Sequence, residues 1–296
     1  MQPGNPKAIG LMLMAVAVFA VMDAALKHLA GSYSAAEVAC LRGGASLPFL
    51  LLNLAWTKSW GQLRMRSPAL HALRAVLGIT MLMSFIYAVS RQSLSSVYAI
   101  FMSAPLMVAA LSRVLLGERV PAGRWAAIVA GLAGVVIALR PAAGGFATLG
   151  SLAAGLSAVC YAGNVLTIRT LGRSDSLHSV VVWYVVMLTL GAGALAAAHW
   201  RPVAAEHWPW IAFVGLTGAL AQHLMTAAFR GAPPSVVAPF EYTAILWGFL
   251  LDWLVFAIHP DPMVAVGATI VIVGGVYVAL SERRSAEALR AAAEAH

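Results

Sequence analysis

A few ionisable side chains interrupt the apolar runs of this sequence, and they are the residues that could do chemistry. Asp23 and Lys27 lie four residues apart in the first run, while His223 and Glu241 lie in two late runs. An ionised group inside a hydrocarbon medium costs several kcal/mol unless it is paired or faces water. These residues therefore predict a polar path through an apolar protein.

Asp23 and Lys27 share one face of a helix, because residues four apart are neighbours on a helix surface. The spacing predicts that they pair with each other, which reduces the cost of burying either charge. In a transport path, Lys27 could attract a substrate carboxylate while Asp23 takes an amino group or a proton. The structural alternative is an ion pair near the outer end of the helix.

Glu241 is the first candidate for proton coupling. It follows Pro239, which leaves a backbone carbonyl without its helical donor, and a carboxyl group there could exchange protons in a partly wet cavity. A glutamate at the membrane interface is the alternative. Asp252, towards the other end of the same run, is predicted to lie at the interface.

Other side chains in apolar runs could complete a binding cavity. His223, with Gln222, could hydrogen-bond a zwitterion, and a packing residue is the alternative. Asn164 could hydrogen-bond across the interface between the two halves, and a contact that holds two helices together is equally consistent with the sequence. A wall of rings with polar edges would suit an apolar or aromatic amino acid, and core packing is the alternative for each ring. The aromatic candidates are Tyr98, Phe101, Tyr161 and Tyr242.

Composition indicates a polytopic membrane protein. The 296 residues are 61% hydrophobic and 10% charged, with a mean hydropathy of +0.85, whereas soluble domains carry about 25% charged residues. The net charge of +8 comes from Lys and Arg in short gaps between apolar runs, which orient membrane spans and argue against nucleic-acid binding. Cys40 and Cys160 lie inside apolar runs and are predicted to be small buried hydrophobes.

Enzyme signatures are absent from the sequence. It contains no HExxH, P-loop, GxSxG or CxxC motif, and its histidines lack ligand spacing. We therefore expect no catalytic activity, no cofactor and no metal site.

The apolar runs predict ten membrane-spanning helices with short connections. If Lys7 is cytoplasmic, most basic residues fall on that side, Arg74 among them, while Arg42 falls on the other. Both termini are then cytoplasmic, which agrees with an even number of spans. The expected helices cover about 8–30, 34–56, 68–90, 94–116, 122–140, 147–170, 176–199, 207–229, 234–257 and 262–281, followed by an alanine-rich helical tail.

The two halves of the chain are predicted to be copies. At one constant offset Gly31 matches Gly172 and Pro68 matches Pro209, while Asp23 meets Asn164. With five spans in each half, the second copy inserts upside down, and inverted repeats of this kind place a substrate site near the midplane. A chance match of Gly and Pro positions is the alternative. The predicted units are a first repeat at 1–143, a second repeat at 144–284 and a cytoplasmic tail at 285–296.

Two stretches resemble the EamA family of the drug/metabolite transporter superfamily. They are APLMVAALSRVLLGERVPAGRWAAIVAGLAGVVIAL in the first half and SVVAPFEYTAILWGFLLDWLVF in the second. The turn at Gly117 and Glu118 is the most specific part, whereas the second half has Ile258 and His259 where relatives often repeat Gly-Glu. The resemblance implies ten helices around a cavity lined by helices one, three, four, six, eight and nine. It also implies export or exchange of amino acids and related metabolites.

These observations predict an all-α secondary transporter of the bacterial inner membrane that exports amino acids or similar metabolites by alternating access. Its expected partners are a small-molecule substrate, the lipid bilayer and, if Glu241 titrates, protons. One alternative is a carrier of nucleotides, sugar phosphates or drug-like molecules. Binding a phosphate would require more than one unpaired basic residue at the midplane. A non-transporting membrane assembly protein is the other. The predicted site comprises Asp23, Lys27, Tyr98, Phe101, Tyr161, Asn164, His223, Glu241 and Tyr242.

Overall fold

The regular elements of the described chain are all helical. The computed structural model describes residues 6–104, 106–107, 111, 122–139, 148–171, 174–231, 238–259 and 261–294. The α-helices in chain order are α1 Pro6–Leu29, α2 Ala35–Trp56, α3 Pro68–Arg91, α4 Leu94–Phe101, α5 Ala122–Leu139, α6 Leu149–Leu171, α7 Leu177–Ala196, α8 Trp208–Gly231, α9 Ala244–Leu254 and α10 Pro262–Glu294. Short 3₁₀ helices cover Trp60–Gln62, Ala197–His199, Ala205–His207 and Ala238–Thr243.

Within the described ranges, five helical stretches are long and apolar enough to cross a membrane. Three of them are α1, α2 and α3, and the other two, Leu149–Ile168 and His178–His199, overlap α6 and α7. Large apolar side chains such as Leu52, Val76 and Leu190 are exposed on these helices, as expected of a surface that lipid covers. The chain is therefore a multi-pass membrane protein.

Two helices begin at a proline. The predicted starts at Pro68 and Pro262 are confirmed, because proline fits the first turn, where its missing N–H costs nothing. The helix predicted over 94–116 is interrupted: α4 ends at Phe101, and Met102 and Ser103 form a turn. Among the described residues that follow, Ala104, Leu106, Met107 and Leu111 are again helical.

Two further predictions meet different outcomes. The helix predicted over 234–257 is shorter, because Ala238–Thr243 forms a 3₁₀ helix and only Ala244–Leu254 is α-helical. The predicted helical tail is confirmed, since α10 continues to Glu294. The kink predicted at Pro105 and the turn at Gly117 and Glu118 lie outside the described residues.

The strongest helix contacts join the first half of the chain to the second. Helix α1 packs along α8, α3 along α6, α5 along α10, α2 against both α7 and α8, and α4 against α9. One buried apolar cluster draws mainly on α1, α3, α4, α9 and α10, with single residues from α6 and α8, and another draws on α1, α2, α3, α7 and α8. The two halves thus share their interior and do not form separate cores.

Two buried carboxylates accept hydrogen bonds from the backbone of connections between helices. Glu37, whose backbone N–H bonds to the Ser34 side chain at the start of α2, accepts a hydrogen bond from the backbone N–H of Arg201 at 2.5 Å. Asp175, just before α7, accepts one from the backbone N–H of Arg66 at 2.8 Å. The start of α2 therefore holds the α7–α8 connection, and the start of α7 holds the α2–α3 connection.

Asp175 lies in the connection between α6 and α7, outside the spanning helices. Burial alone would raise the pKa of this carboxyl, but hydrogen bonds from Arg66, Ser174 and His71 outweigh burial and hold the pKa below its ordinary value. The ionised form is thus the stabilising one. Its contribution to stability is present above the ordinary carboxyl pKa, about 3.9, and is lost as the pH falls through the lower pKa of the folded protein.

Replacing Asp175 with Asn should lower the free energy of unfolding at neutral pH by about 1–3 kcal/mol, because buried donors lose a charged acceptor. The wild type should lose the stability that the ionised Asp175 contributes as the pH falls, and the variant should not show this part of the loss. Thermal unfolding of the purified protein in detergent, at neutral and at acidic pH, measures both effects. Glu206→Gln is the control, because the Glu206 side chain is 78% exposed. An Asp175→Asn variant that unfolds like the wild type at neutral pH would contradict the assignment.

Candidate functional site

The Lys27 side chain forms an ion pair with Asp252, with 3.7 Å between the Lys27 Nζ and Asp252 Oδ1 atoms. Lys27 also donates a hydrogen bond to the backbone carbonyl of Gln92 at 2.7 Å. Asp252 accepts hydrogen bonds from the backbone N–H groups of Leu94 and Ser95, at 2.9 and 2.8 Å, and from the Ser95 hydroxyl at 2.7 Å. This cluster joins α1, the start of α4 and the end of α9.

These contacts overturn one sequence-based interpretation. Lys27 pairs with Asp252 and not with Asp23, because the fold brings α9 against the same end of α1. Asp252 lies near the end of α9, as predicted, but it is 0% exposed, and two backbone N–H groups at the start of α4 compensate its charge. The Lys27 ammonium also lies 4.6 Å from the centre of the Phe256 ring.

Asp23 has a different partner, the tyrosine of α4. The Tyr98 hydroxyl donates a hydrogen bond to Asp23 Oδ2 at 2.7 Å, and the Tyr98 side chain is buried. The Phe85 ring on α3 stacks against the Tyr98 ring, with 6.1 Å between their centres. Two residues predicted for the site, Asp23 and Tyr98, are thus in direct contact.

Four rings form a continuous group that we call the aromatic cluster: Phe85, Tyr98, Phe101 and Tyr161. The centres of the Phe85 and Phe101 rings are 5.6 Å apart, and those of Phe101 and Tyr161 are 5.2 Å apart, both in edge-to-face geometry. Helices α3, α4 and α6 contribute these rings. Such pairs give an apolar wall with polar edges, as in many small-molecule sites.

Glu241 lies in the 3₁₀ helix before α9 and is buried. It is within electrostatic reach of Tyr161 and of Tyr242. The Tyr242 ring packs against α10, where a Cβ atom added at Gly275 would overlap its hydroxyl. Glu241 therefore interacts electrostatically with Tyr161 of the aromatic cluster, whereas the Tyr242 ring packs against α10.

The two remaining predicted residues lie apart from this group. Asn164 on α6 accepts a hydrogen bond from Arg74 Nε at 3.2 Å and is buried against α3. His223 on α8 is exposed. Within the described ranges, no group of three or more His, Cys, Asp and Glu residues could hold a metal ion.

Sequence reasoning missed three residues that the structure makes prominent: Asp252, Phe85 and Arg74. The sequence suggested that Arg74 lies near a loop, but the Arg74 side chain, on α3, is buried. The sequence feature that could have indicated this burial is a charge about one and a half helical turns inside an apolar run. For Asp252, the feature is a carboxylate near the end of another apolar run. In neither case does the sequence identify the distant helix that supplies the partners.

Comparison with known proteins finds similarity to one family of transporters. The model of the EamA-like transporter family matches residues 6–140 and again 148–280. A riboflavin transporter of Rhizobium johnstonii is 29% identical over 79% of this chain and 78% of its own. A pseudopaline exporter of Pseudomonas aeruginosa is 23% identical over 92% of this chain and 96% of its own.

Two further comparisons extend over nearly the whole chain. An S-adenosylmethionine uptake transporter of Rickettsia bellii is 24% identical over 94% of each chain. A crystal structure that covers 94% of this chain and 96% of its own has the same fold, with a TM-score of 0.65 at 18% identity. From its helices and from the two matches to one family model, this chain belongs to the EamA-like transporter family.

Proposed function

We propose that the chain is a secondary transporter built from two inverted five-helix repeats, residues 1–143 and 144–284, with ten spans. The helix pairs support this arrangement. If each helix is replaced by its counterpart in the other half, α1 becomes α6 and α8 becomes α3, and the pair α3–α6 is observed as well as α1–α8. The pairs α2–α7, α4–α9 and α5–α10 each consist of two counterparts, so the exchange does not change them. Inverted repeats permit alternating access by rocking one half against the other.

The observation that carries the proposal is the hydrogen bond that joins Asp23 to Tyr98 of the aromatic cluster, inside a membrane protein. Asp23 offers a carboxylate to an amino group, and the rings offer flat apolar area with polarised edges. Glu241 adds a second carboxyl group that interacts electrostatically with Tyr161. We propose that this group binds amino acids with apolar or aromatic side chains and related small metabolites.

The proposed direction is export across the inner membrane, with both termini cytoplasmic. The distribution of Lys and Arg supports the orientation, since it favours one set of connections. The names of the relatives include an exporter and an uptake transporter, so direction is a matter for the transport assay. Since Asp252 already neutralises Lys27, we propose that this lysine meets substrate only when the ion pair opens.

Counterflow into liposomes tests the proposed function. Purified protein, in liposomes loaded with an unlabelled amino acid, should accumulate the labelled form when that amino acid is aromatic or apolar. Asp23→Asn should reduce this flux roughly tenfold or more, because a hydrogen bond to a charged group contributes about 1.5–3 kcal/mol. Glu206→Gln should leave flux unchanged. Folded protein that moves no amino acid in a full screen would overturn the proposal and favour a non-transporting role.

The Glu241 assignment predicts coupling to protons. Wild-type flux should respond to an imposed pH gradient, and Glu241→Gln should abolish this response, because an amide cannot carry the proton. Exchange without a gradient should persist in the variant. A wild-type protein that is indifferent to the gradient would indicate a uniporter and remove the role from Glu241.

A double-mutant cycle separates the two roles open to Lys27. If its role is to pair with Asp252, Lys27→Met and Asp252→Asn should each destabilise the protein by about 3–5 kcal/mol, since each leaves a buried charge unpaired. The double variant should then lose less than the sum of the two. Thermal unfolding measures the cycle. Unchanged stability of Lys27→Met together with lost flux of carboxylated substrates would instead assign Lys27 to substrate binding.

A further inference from the structure

A cavity lies between α2, α3, α7 and α8. Its volume is about 60 Å³, and its lining, which is largely apolar, includes the polar side chains of Arg42, Ser46, Arg74, Tyr184 and Gln222. One enclosed water needs roughly 10–15 Å³ by the same measure, so several waters or one small polar group would fit. We call it the arginine cavity.

Arg74 is a buried cation with neutral partners. It is 5% exposed, donates a hydrogen bond from Nε to Asn164 Oδ1 at 3.2 Å and another from Nη1 to the Val180 carbonyl. Its guanidinium lies 4.3 Å from the centre of the Tyr184 ring. Among the described residues, no carboxylate forms an ion pair with it. A buried charge without a counter-charge keeps most of its desolvation cost, so this guanidinium is prepared for an anion.

Arg42 adds a second positive charge to the same cavity. It is half-buried, and its guanidinium has no hydrogen bond to the residues that the structure describes. Asp23 is within electrostatic reach of Arg42, but this carboxylate already accepts the Tyr98 hydroxyl. The described lining of the cavity thus holds two guanidinium groups and no carboxylate, which leaves an excess of positive charge.

Both arginines lie well inside their helices and not at the helix starts. Arg42 lies roughly 10 Å along α2 from its start, and Arg74 roughly 10 Å along α3, at 1.5 Å per residue. Consecutive spans cross in opposite directions, so the two arginines approach from opposite faces of a hydrocarbon core that is roughly 30 Å thick. Charges at this depth mark substrate paths in membrane proteins.

We propose that the arginine cavity binds the anionic group, a carboxylate or a phosphate, of the molecule that this protein transports. The inference rests on the proposed transport function and adds a charge requirement to the substrate. A guanidinium offers a planar pair of donors that matches carboxylate and phosphate oxygens, and Gln222 adds an amide to the lining of the same cavity. The small volume fits one such group, while the remainder of the molecule would extend outside the cavity.

Binding to the purified full-length protein tests this inference without transport. Thermal unfolding in detergent is followed against increasing succinate in one arm and inorganic phosphate in the other, at matched ionic strength. The neutral dimethyl ester of succinate is the control ligand. The wild-type unfolding temperature should rise and saturate with at least one anion and not with the ester. The effective anion identifies the class of group, and a response to phosphate alone would favour the nucleotide or sugar-phosphate alternative.

Variants distinguish anion binding from a general effect of salt. Arg42→Gln and Arg74→Gln should each weaken the apparent affinity about tenfold, because each removes a charged donor pair. Arg91→Gln is the matched control: Arg91 is also on α3 and also faces an aromatic ring, 5.5 Å from the centre of Tyr87, but is exposed. It should bind as the wild type does. Arg74→Lys provides a milder variant if Arg74→Gln fails to fold.

The outcomes separate this inference from the proposed function. No saturable response of the wild type to either anion, or an equal response in Arg42→Gln and the wild type, overturns the inference even if counterflow succeeds. Loss of the response in the arginine variants supports it, even if the counterflow screen finds no amino-acid flux. A purely structural role of Arg74 would lower stability without anion but leave the increment from added anion unchanged.

Discussion

The cost of placing charge inside hydrocarbon governs how this protein is built. Asp252 is fully buried, and hydrogen bonds from two backbone N–H groups and a hydroxyl, together with the Lys27 ammonium, compensate its charge. The charge of Arg74 is compensated only in part, by hydrogen bonds to an amide oxygen and a backbone carbonyl and by contact with an aromatic ring. Asp252 is thus compensated within the chain, while Arg74 still lacks a negative partner among the described residues. Compensated charges join helices, and uncompensated ones indicate where a ligand contributes to the balance.

The compensated charges join elements that are far apart in sequence. The Lys27–Asp252 pair ties α1 to the start of α4 and the end of α9. Glu37 and Asp175 tie connections to the helix starts of the opposite half. Each bond crosses the boundary between the two proposed repeats. Any rocking of one half against the other must therefore either carry these bonds along or break them, and their burial makes breaking costly.

Sequence reasoning located the helices better than their partners. The starts at Pro68, Leu94 and Pro262 follow from local chemistry, because proline and serine favour the first turn. The pairing of Asp23 with Lys27 relied on helix spacing alone and was wrong, since a long-range contact supplies Asp252 instead. Hydrogen bonding of Asp23 to Tyr98 and the burial of Arg74 likewise depend on which helices meet. Local patterns carry little information about that choice.

The length of α10 has a mechanical consequence. This helix runs for 33 residues from Pro262 to Glu294, which is about 50 Å at 1.5 Å per residue and exceeds the hydrocarbon core by roughly 20 Å. Over that length, a tilt of the helix by about 5° would displace its C-terminal end by about 4 Å. A fluorophore attached at position 292 would therefore report small changes of helix tilt within the bilayer as a larger displacement outside it.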